Sequence, residues 1–365
     1  MQIQVQEAAV KKRNLCILCL SILIISLGWT TPQETHPRGL GIVLPKSALV
    51  SEEVIDSVLG MCIQFRVDTL YVPAISYMEA LYVSDILPRS NVLINHPTPL
   101  DFDPIGYILR KAATLGVRTV LMLDLFTAWP SEDIPFNPLH VTRRSPQWLS
   151  HDSIGQLHTA PIILDPGNPQ VQSFILSLLR EIMIRYQPMF IALENFQYPN
   201  RAYGYNPSAL IEFERKKRES YHQVYSFDTF REQTLDDLIF RISALRDSLG
   251  VFTQFSAFVP SDIQLSRRDT FQNWAKWVNA GHLHSVALSY WYPDIQRVRY
   301  DTSQAFETLY QGRFVPVLNP FDMNALQLEV IVKEILGYPI PQIILSTFSP
   351  DILRMMNSWS VGVPR

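Results

Sequence analysis

The chain lacks the groups that mark several common ligand chemistries. Cysteine is nearly absent, with three in 365 residues. Cys16 and Cys19 are spaced C-x-x-C, but they stand inside an apolar run, and Cys62 stands alone. Neither a disulfide framework nor a set of paired CxxC motifs is present to hold the fold. No Walker loop and no Gly-rich dinucleotide fingerprint occurs. A surplus of one charge is missing too. Thirty-one basic and 34 acidic residues leave −3, which supplies no field toward nucleic acid. What the chain does have is apolar content, 47% against 18% charged, enough for a large core.

The N-terminus reads as an address. Lys11, Lys12 and Arg13 precede an uncharged run from Leu15 to Trp29, the basic and apolar regions of an export signal. The run is short against the ~20 residues of a full span, so a cleaved signal and an uncleaved anchor at residues 1–29 both stay open. No lipobox cysteine follows. Residues 30–38 are polar with two prolines and read as a linker. The flanking charges place the remainder outside the cytoplasmic membrane, periplasmic or extracellular.

From Gly39 onward, short apolar runs alternate with amphipathic segments. The runs are Gly41–Pro45, Thr69–Ala74, Thr119–Leu125, Phe190–Asn195, Phe252–Phe258, Ser285–Trp291, Phe314–Asn319 and Gln342–Thr347. Most are continuous rather than alternating, as strands of a parallel sheet covered on both faces should be. Helices are expected over Glu52–Phe65, Pro104–Leu115, Pro169–Tyr186, Asp228–Leu249, Gln264–Ala280, Ser303–Tyr310, Ala325–Leu336 and Ile352–Trp359. Gly116, Gly250, Gly281, Gly312 and Gly337 follow helical segments, the position of a C-terminal cap. Eight β–α units over residues 39–365 predict an α/β (β/α)8 TIM barrel rather than an open doubly wound sheet. The strand-to-helix connections Ser76–Phe102, Phe126–Asn168 and Phe196–Phe227 are long. In a barrel they share one face, where ligand sites are built.

Leu164-Asp165-Pro166-Gly167-Asn168-Pro169-Gln170-Val171 resembles the LDPGxPxV signature of the bacterial glycosyl-hydrolase-like 10 family. Glu79-Ala80-Leu81-Tyr82-Val83-Ser84, Asp103-Pro104 with Tyr107, Ser145-Pro146-Gln147-Trp148-Leu149, Phe230-Arg231 and Tyr290-Trp291 are similar to further family segments in the same order. The resemblance covers nearly all of residues 39–348. It implies a TIM barrel of glycoside-hydrolase type acting on an envelope polysaccharide, with peptidoglycan glycan strands one such substrate; no metal or organic cofactor is called for, and calcium in the long loops stays open.

The family's polar site positions are altered here. Its fourth strand ends D-G-I-H-x-D-D-Y-x-Y-P, where this chain has Met189-Phe190-Ile191-Ala192-Leu193-Glu194-Asn195-Phe196-Gln197-Tyr198-Pro199. Its Q-V-R on the second strand corresponds to Pro73-Ala74-Ile75, and its P-Q on the sixth to Ala287-Leu288. A rebuilt catalytic site and a non-catalytic barrel that binds glycan or an envelope protein are both compatible with this pattern.

The residues themselves give a case for catalysis. Glycoside hydrolysis needs two carboxyl groups. Glu194 and Asp124 end neighbouring strands, and strands are ~4.8 Å apart, close to the ~5–5.5 Å of a retaining pair. Asp124 also has the alternative of capping its own loop. Asn195 is expected to hydrogen-bond a sugar hydroxyl but cannot act as acid or base. Tyr198, Tyr290, Trp291, Tyr292 and Trp129 are the candidate aromatic contacts, with loop packing as the alternative for each. His282 and His284 precede the sixth strand, at the stability face, and read as structural.

Overall fold

The computed structural model describes residues 39–220, 224–290, 294–309 and 313–358. The expected signal or anchor, the linker, Trp291 and Tyr292 lie outside the described residues, as does Gly312.

Eight parallel strands close into a barrel: β1 (Gly39–Val43), β2 (Thr69–Ser76), β3 (Arg118–Asp124), β4 (Phe190–Glu194), β5 (Gln254–Pro260), β6 (Ser285–Ser289), β7 (Phe314–Leu318) and β8 (Gln342–Leu345). Each pairs with its successor, and β8 returns to β1, with Gly39 beside Gln342 and Ile42 beside Leu345. The sequence therefore specifies a closed barrel and not an open sheet. Gly39 allows the closure at the foot of β1, because a Cβ there would stand 2.3 Å from the Asp68 carboxylate. That carboxylate instead accepts Leu40 N–H at 2.7 Å.

The helices that alternate with the strands are α1 (Glu52–Gln64), α2 (Pro104–Thr114), α3 (Pro169–Tyr186), α4 (Phe227–Leu249), α5 (Ile263–Asp269), α6 (Trp274–Asn279), α7 (Ile295–Thr308), α8 (Ala325–Ile335) and α9 (Pro350–Ser358). Further helices, Asn91–Ile94, Val141–Arg144 and Pro207–Glu219, lie within the long connections after β2, β3 and β4. Local chemistry starts them. Ser51, Asp103, Asn168 and Ser226 each accept a backbone N–H of the first turn, and Pro104 and Pro169 occupy first-turn positions. Gly116, Gly250 and Gly281 take the left-handed conformation after their helices. No helix among the described residues is long and apolar enough to cross a membrane.

Two helical expectations need correction. The segment expected as one helix over Gln264–Ala280 is α5 and α6, broken where Phe271 takes φ +60°. The break is held from outside the segment: Gln272 Nε2 donates to Phe196 O at 3.2 Å. The helix expected from Ser303 begins at Ile295, because Asp294 accepts from Gln296 and Arg297 N–H. Its buried face, Val298, Thr302 and Ala305, has helical spacing.

The barrel interior is packed. Tyr71, Val120, Met122, Ala192, Ala287, Val317 and Ile344 form one buried cluster, with Val43, Phe190, Phe258 and Val315 against it. This is the layered filling of a closed (β/α)8 barrel. A second, larger cluster lies between strands and helices and includes Leu121, Leu123, Ile191, Leu193, Ile175 and Leu179. Both strand faces are thus covered, which is why the strands read as continuous apolar runs.

Candidate functional site

Side-chain alternation along the strands decides what reaches the mouth. Val120 and Met122 of β3 face the barrel interior, as do Phe190 and Ala192 of β4. The same parity puts Asp124 and Glu194 inside at the C-terminal ends. The two residues are direct partners in the β3–β4 register. The structure thus brings together the two carboxylates that sequence reasoning paired.

Their surroundings differ. Asp124 is 3% exposed. Its Oδ1 accepts Thr127 N–H at 3.0 Å and its Oδ2 accepts the Asn195 amide at 2.9 Å. Burial pushes its carboxyl up to about 6, and these hydrogen bonds pull against that rise. Glu194 is half-buried and accepts no hydrogen bond from a described residue. Burial first and the neighbouring Asp124 charge second raise it to about 7, with Lys46 opposing both. Like charges on adjacent strands share protons as a pair. The carboxyl that is free to meet a ligand is therefore Glu194, with Asp124 held beneath it.

Asn195 is exposed, with φ +49°, a left-handed conformation that asparagine tolerates better than most residues. Its amide is directed to Asp124 and, at 3.3 Å, to Thr127 Oγ1. The amide nitrogen of Asn195 thus holds the buried carboxylate, while the residue itself remains exposed.

A cavity of about 210 Å³ opens above this pair. Glu194, Asn195 and Gln197 line one side, and Phe258, Ser289, Val317 and Ser346 line the other. A larger cleft of about 520 Å³ lies between α4 and the α5–α6 pair. Its charges already pair with one another, as Arg267 with Glu232 and Lys276 with Asp236. The candidate carboxyl, Glu194, lines the smaller cavity. Among the described residues no cluster of His, Cys, Asp and Glu is arranged to hold a metal ion.

Two aromatic expectations are corrected. Tyr290 follows the inward-facing Ser289, so parity turns it outward, where its hydroxyl meets Thr302 Oγ1 of α7 at 2.7 Å. Tyr198 is fully buried, with Phe271 edge-on at 5.6 Å and the Arg231 guanidinium over its ring. Neither ring has a face to offer to a ligand. Trp129 keeps part of its surface free and packs edge-on against Tyr77 at 6.2 Å and His140 at 5.4 Å.

Sequence reasoning missed Lys46 and Tyr77. Lys46 lies three residues after β1, and its ammonium sits 4.0 Å from the centre of the Tyr77 ring. Tyr77 and Met78 are both left-handed, at φ +56° and +54°. His140, fully buried, bonds the Tyr77 carbonyl through Nε2 at 2.9 Å and Thr142 Oγ1 through Nδ1. For Lys46 the signal was its place just past a strand's C-terminal end. Nothing local announces the Tyr77 turn.

The family model for glycosyl hydrolase-like 10 matches residues 49–311. No curated protein matches the chain by sequence. Among solved structures, the glycoside hydrolase domain of PgaB (BpsB) from Bordetella bronchiseptica is 13% identical with a TM-score of 0.62, covering 88% of this chain and 96% of that one. The catalytic domain of β-amylase from Paenibacillus polymyxa is 11% identical with a TM-score of 0.60, covering 89% and 98%. At such identities the likeness is one of fold, and the extended match to the family model carries the assignment. The chain belongs to the glycosyl hydrolase-like 10 family.

Proposed function

We propose that the protein is an exported hydrolase of an envelope polysaccharide, such as peptidoglycan glycan strands. In this reading residues 1–29 direct export or anchor the chain, residues 30–38 link, and the barrel begins at Gly39. The observation that carries the reading is the register pairing of Asp124 with Glu194 at the mouth, with Glu194 lining the cavity.

Glu194 acts as the general acid. A carboxyl raised to about 7 holds a proton near neutral pH and still ionises there. Proton transfer to the glycosidic oxygen breaks the C1–O bond. Water supplies the new hydroxyl at C1, and its proton returns to the carboxylate pair. Asp124 contributes the second charge, fixed by Thr127 and Asn195.

A second reading is a barrel that binds glycan or an envelope protein without cleaving it. It is favoured by the apolar wall of the cavity, with Val43, Met122, Phe258 and Val317, and by Ala192 and Ala287 in the interior below it. A bound sugar hydroxyl left unpaired there costs ~1–3 kcal/mol.

The test is release of reducing ends from purified peptidoglycan glycan strands by the protein and its Glu194→Gln variant. Turnover that falls by about 10²–10⁴-fold in the variant supports the hydrolase. Strand binding without turnover in either protein supports the second reading. Neither turnover nor binding overturns both.

A further inference from the structure

Lys46 is half-buried at the mouth, yet its ammonium has no hydrogen bond or ion pair with a described residue. The ammonium lies over the face of Tyr77. The charged groups facing it are Glu79 from the hairpin after β2, Asp124 from β3 and Glu194 from β4. Two of these are already engaged. Glu79 accepts Ser90 Oγ–H at 3.0 Å and Asn91 N–H at 2.9 Å, and Asp124 accepts Thr127 and Asn195. Lys46 stands within electrostatic reach of Glu194 but outside the lining of the cavity, so its three N–H donors are open to a ligand that extends from the cavity past Glu194.

Holding the lysine there has a cost. Burial lowers the affinity of its amine for the proton. Its platform is a non-glycine residue in the left-handed region, fixed by the buried His140 and edged by Trp129. Backbone of that kind costs ~1–3 kcal/mol and persists where the surroundings over-determine it, commonly at ligand sites. A lysine serving only solubility needs no such support.

We infer that Lys46, carried on the Tyr77 ring, is a ligand-binding residue that donates hydrogen bonds to a hydroxyl or N-acyl carbonyl of a neutral sugar. The neutrality follows from the neighbouring charges. A carboxylated or sulfated sugar would face Glu79, Asp124 and Glu194, and a deacetylated amino sugar would offer Lys46 an ammonium, which has no acceptor, in place of the N-acyl carbonyl. Tyr77 is the positioning residue. The inference rests on the glycan reading of the same mouth and adds the class of sugar to it: in a peptidoglycan strand, the neutral N-acetylglucosamine unit rather than the unit that bears a lactyl carboxyl group.

Titration calorimetry tests it with three tetramers: neutral chitotetraose, its fully deacetylated cationic form, and anionic tetragalacturonate. The protein is expected to bind chitotetraose in preference to the other two. Lys46→Met should weaken that binding by about 10–100-fold, the range for a hydrogen bond to a charged group. Tyr77→Phe keeps an aromatic face under the ammonium and should keep the affinity, whereas Tyr77→Leu should lose it. That split separates positioning from general damage, since both variants alter the same side chain. If Lys46→Met does not fold, Lys46→Gln replaces it. Unchanged binding in the Lys46 variant, or preference for either charged tetramer, overturns the inference while leaving the glycan reading standing. Absence of binding to all three tetramers by the unaltered protein removes the glycan reading, and the inference with it.

Discussion

The two sides of the barrel mouth are unlike. Strands β1–β4 and the segments that follow them bring Lys46, Tyr77, Glu79, Asp124, Glu194 and Asn195. Strands β5–β8 contribute Phe258, Ser289, Val317 and Ser346. The first side also carries the long loops and three left-handed non-glycine residues, Tyr77, Met78 and Asn195. Buried like charges and left-handed backbone both reduce stability. Apolar side chains and serines at strand ends do not. The contrast separates a side organised around charge from a wall that gives the cavity its shape.

The largest effect of this contrast should appear in stability against pH. Glu194 and Asp124 titrate higher in the folded chain than in the unfolded one, so the folded state binds more protons between about 4 and about 7. Stability is then greatest below the ordinary carboxylate range and declines as pH rises through the folded values. Asp165, buried and raised to about 6, adds to the same slope. Glu194→Gln removes one ionisation and is expected to stabilise the protein at about pH 8 by on the order of 1–3 kcal/mol. The gain should vanish near pH 4. Urea unfolding at both pH values checks it, and Ser289→Ala on the opposite side should show no such pH dependence.

A smaller effect concerns the backbone. Tyr77→Gly and Tyr77→Ala remove the same ring, but only glycine relieves φ +56°. The glycine variant is expected to be more stable by about 1 kcal/mol. Equal stability in thermal unfolding would mean that the turn is unstrained.

Much of this was legible in the sequence because a barrel covered on both faces leaves a plain signature. Continuous apolar runs located all eight strands, and Asp124 and Glu194 followed from their places at strand ends. The errors have physical reasons. The α5–α6 break depends on Gln272 meeting Phe196 O, a contact across 76 positions. The first turns of α7 are mostly polar, with Gln296, Arg297 and Arg299, so their buried stripe is narrow. Tyr290 lies one step of alternation away from the inward face, and for Tyr198 the loop-packing alternative holds, since Phe271 covers it. Tyr77 reaches the mouth through a two-residue turn whose left-handed positions usually carry Asn or Gly, and Tyr77-Met78 has neither signal.

The catalytic reading depends on a proton residing on Glu194 near neutral pH. Its side-chain carboxyl carbon, labelled with carbon-13 and titrated in the native protein and in Asp124→Asn, measures this directly. A midpoint near 7 is expected, moving down in Asp124→Asn as one like charge is removed while burial keeps it above the ordinary range. A midpoint near the ordinary ~4.3 of a glutamate in the native protein would contradict the assignment, since Glu194 would then have no proton to give a leaving group.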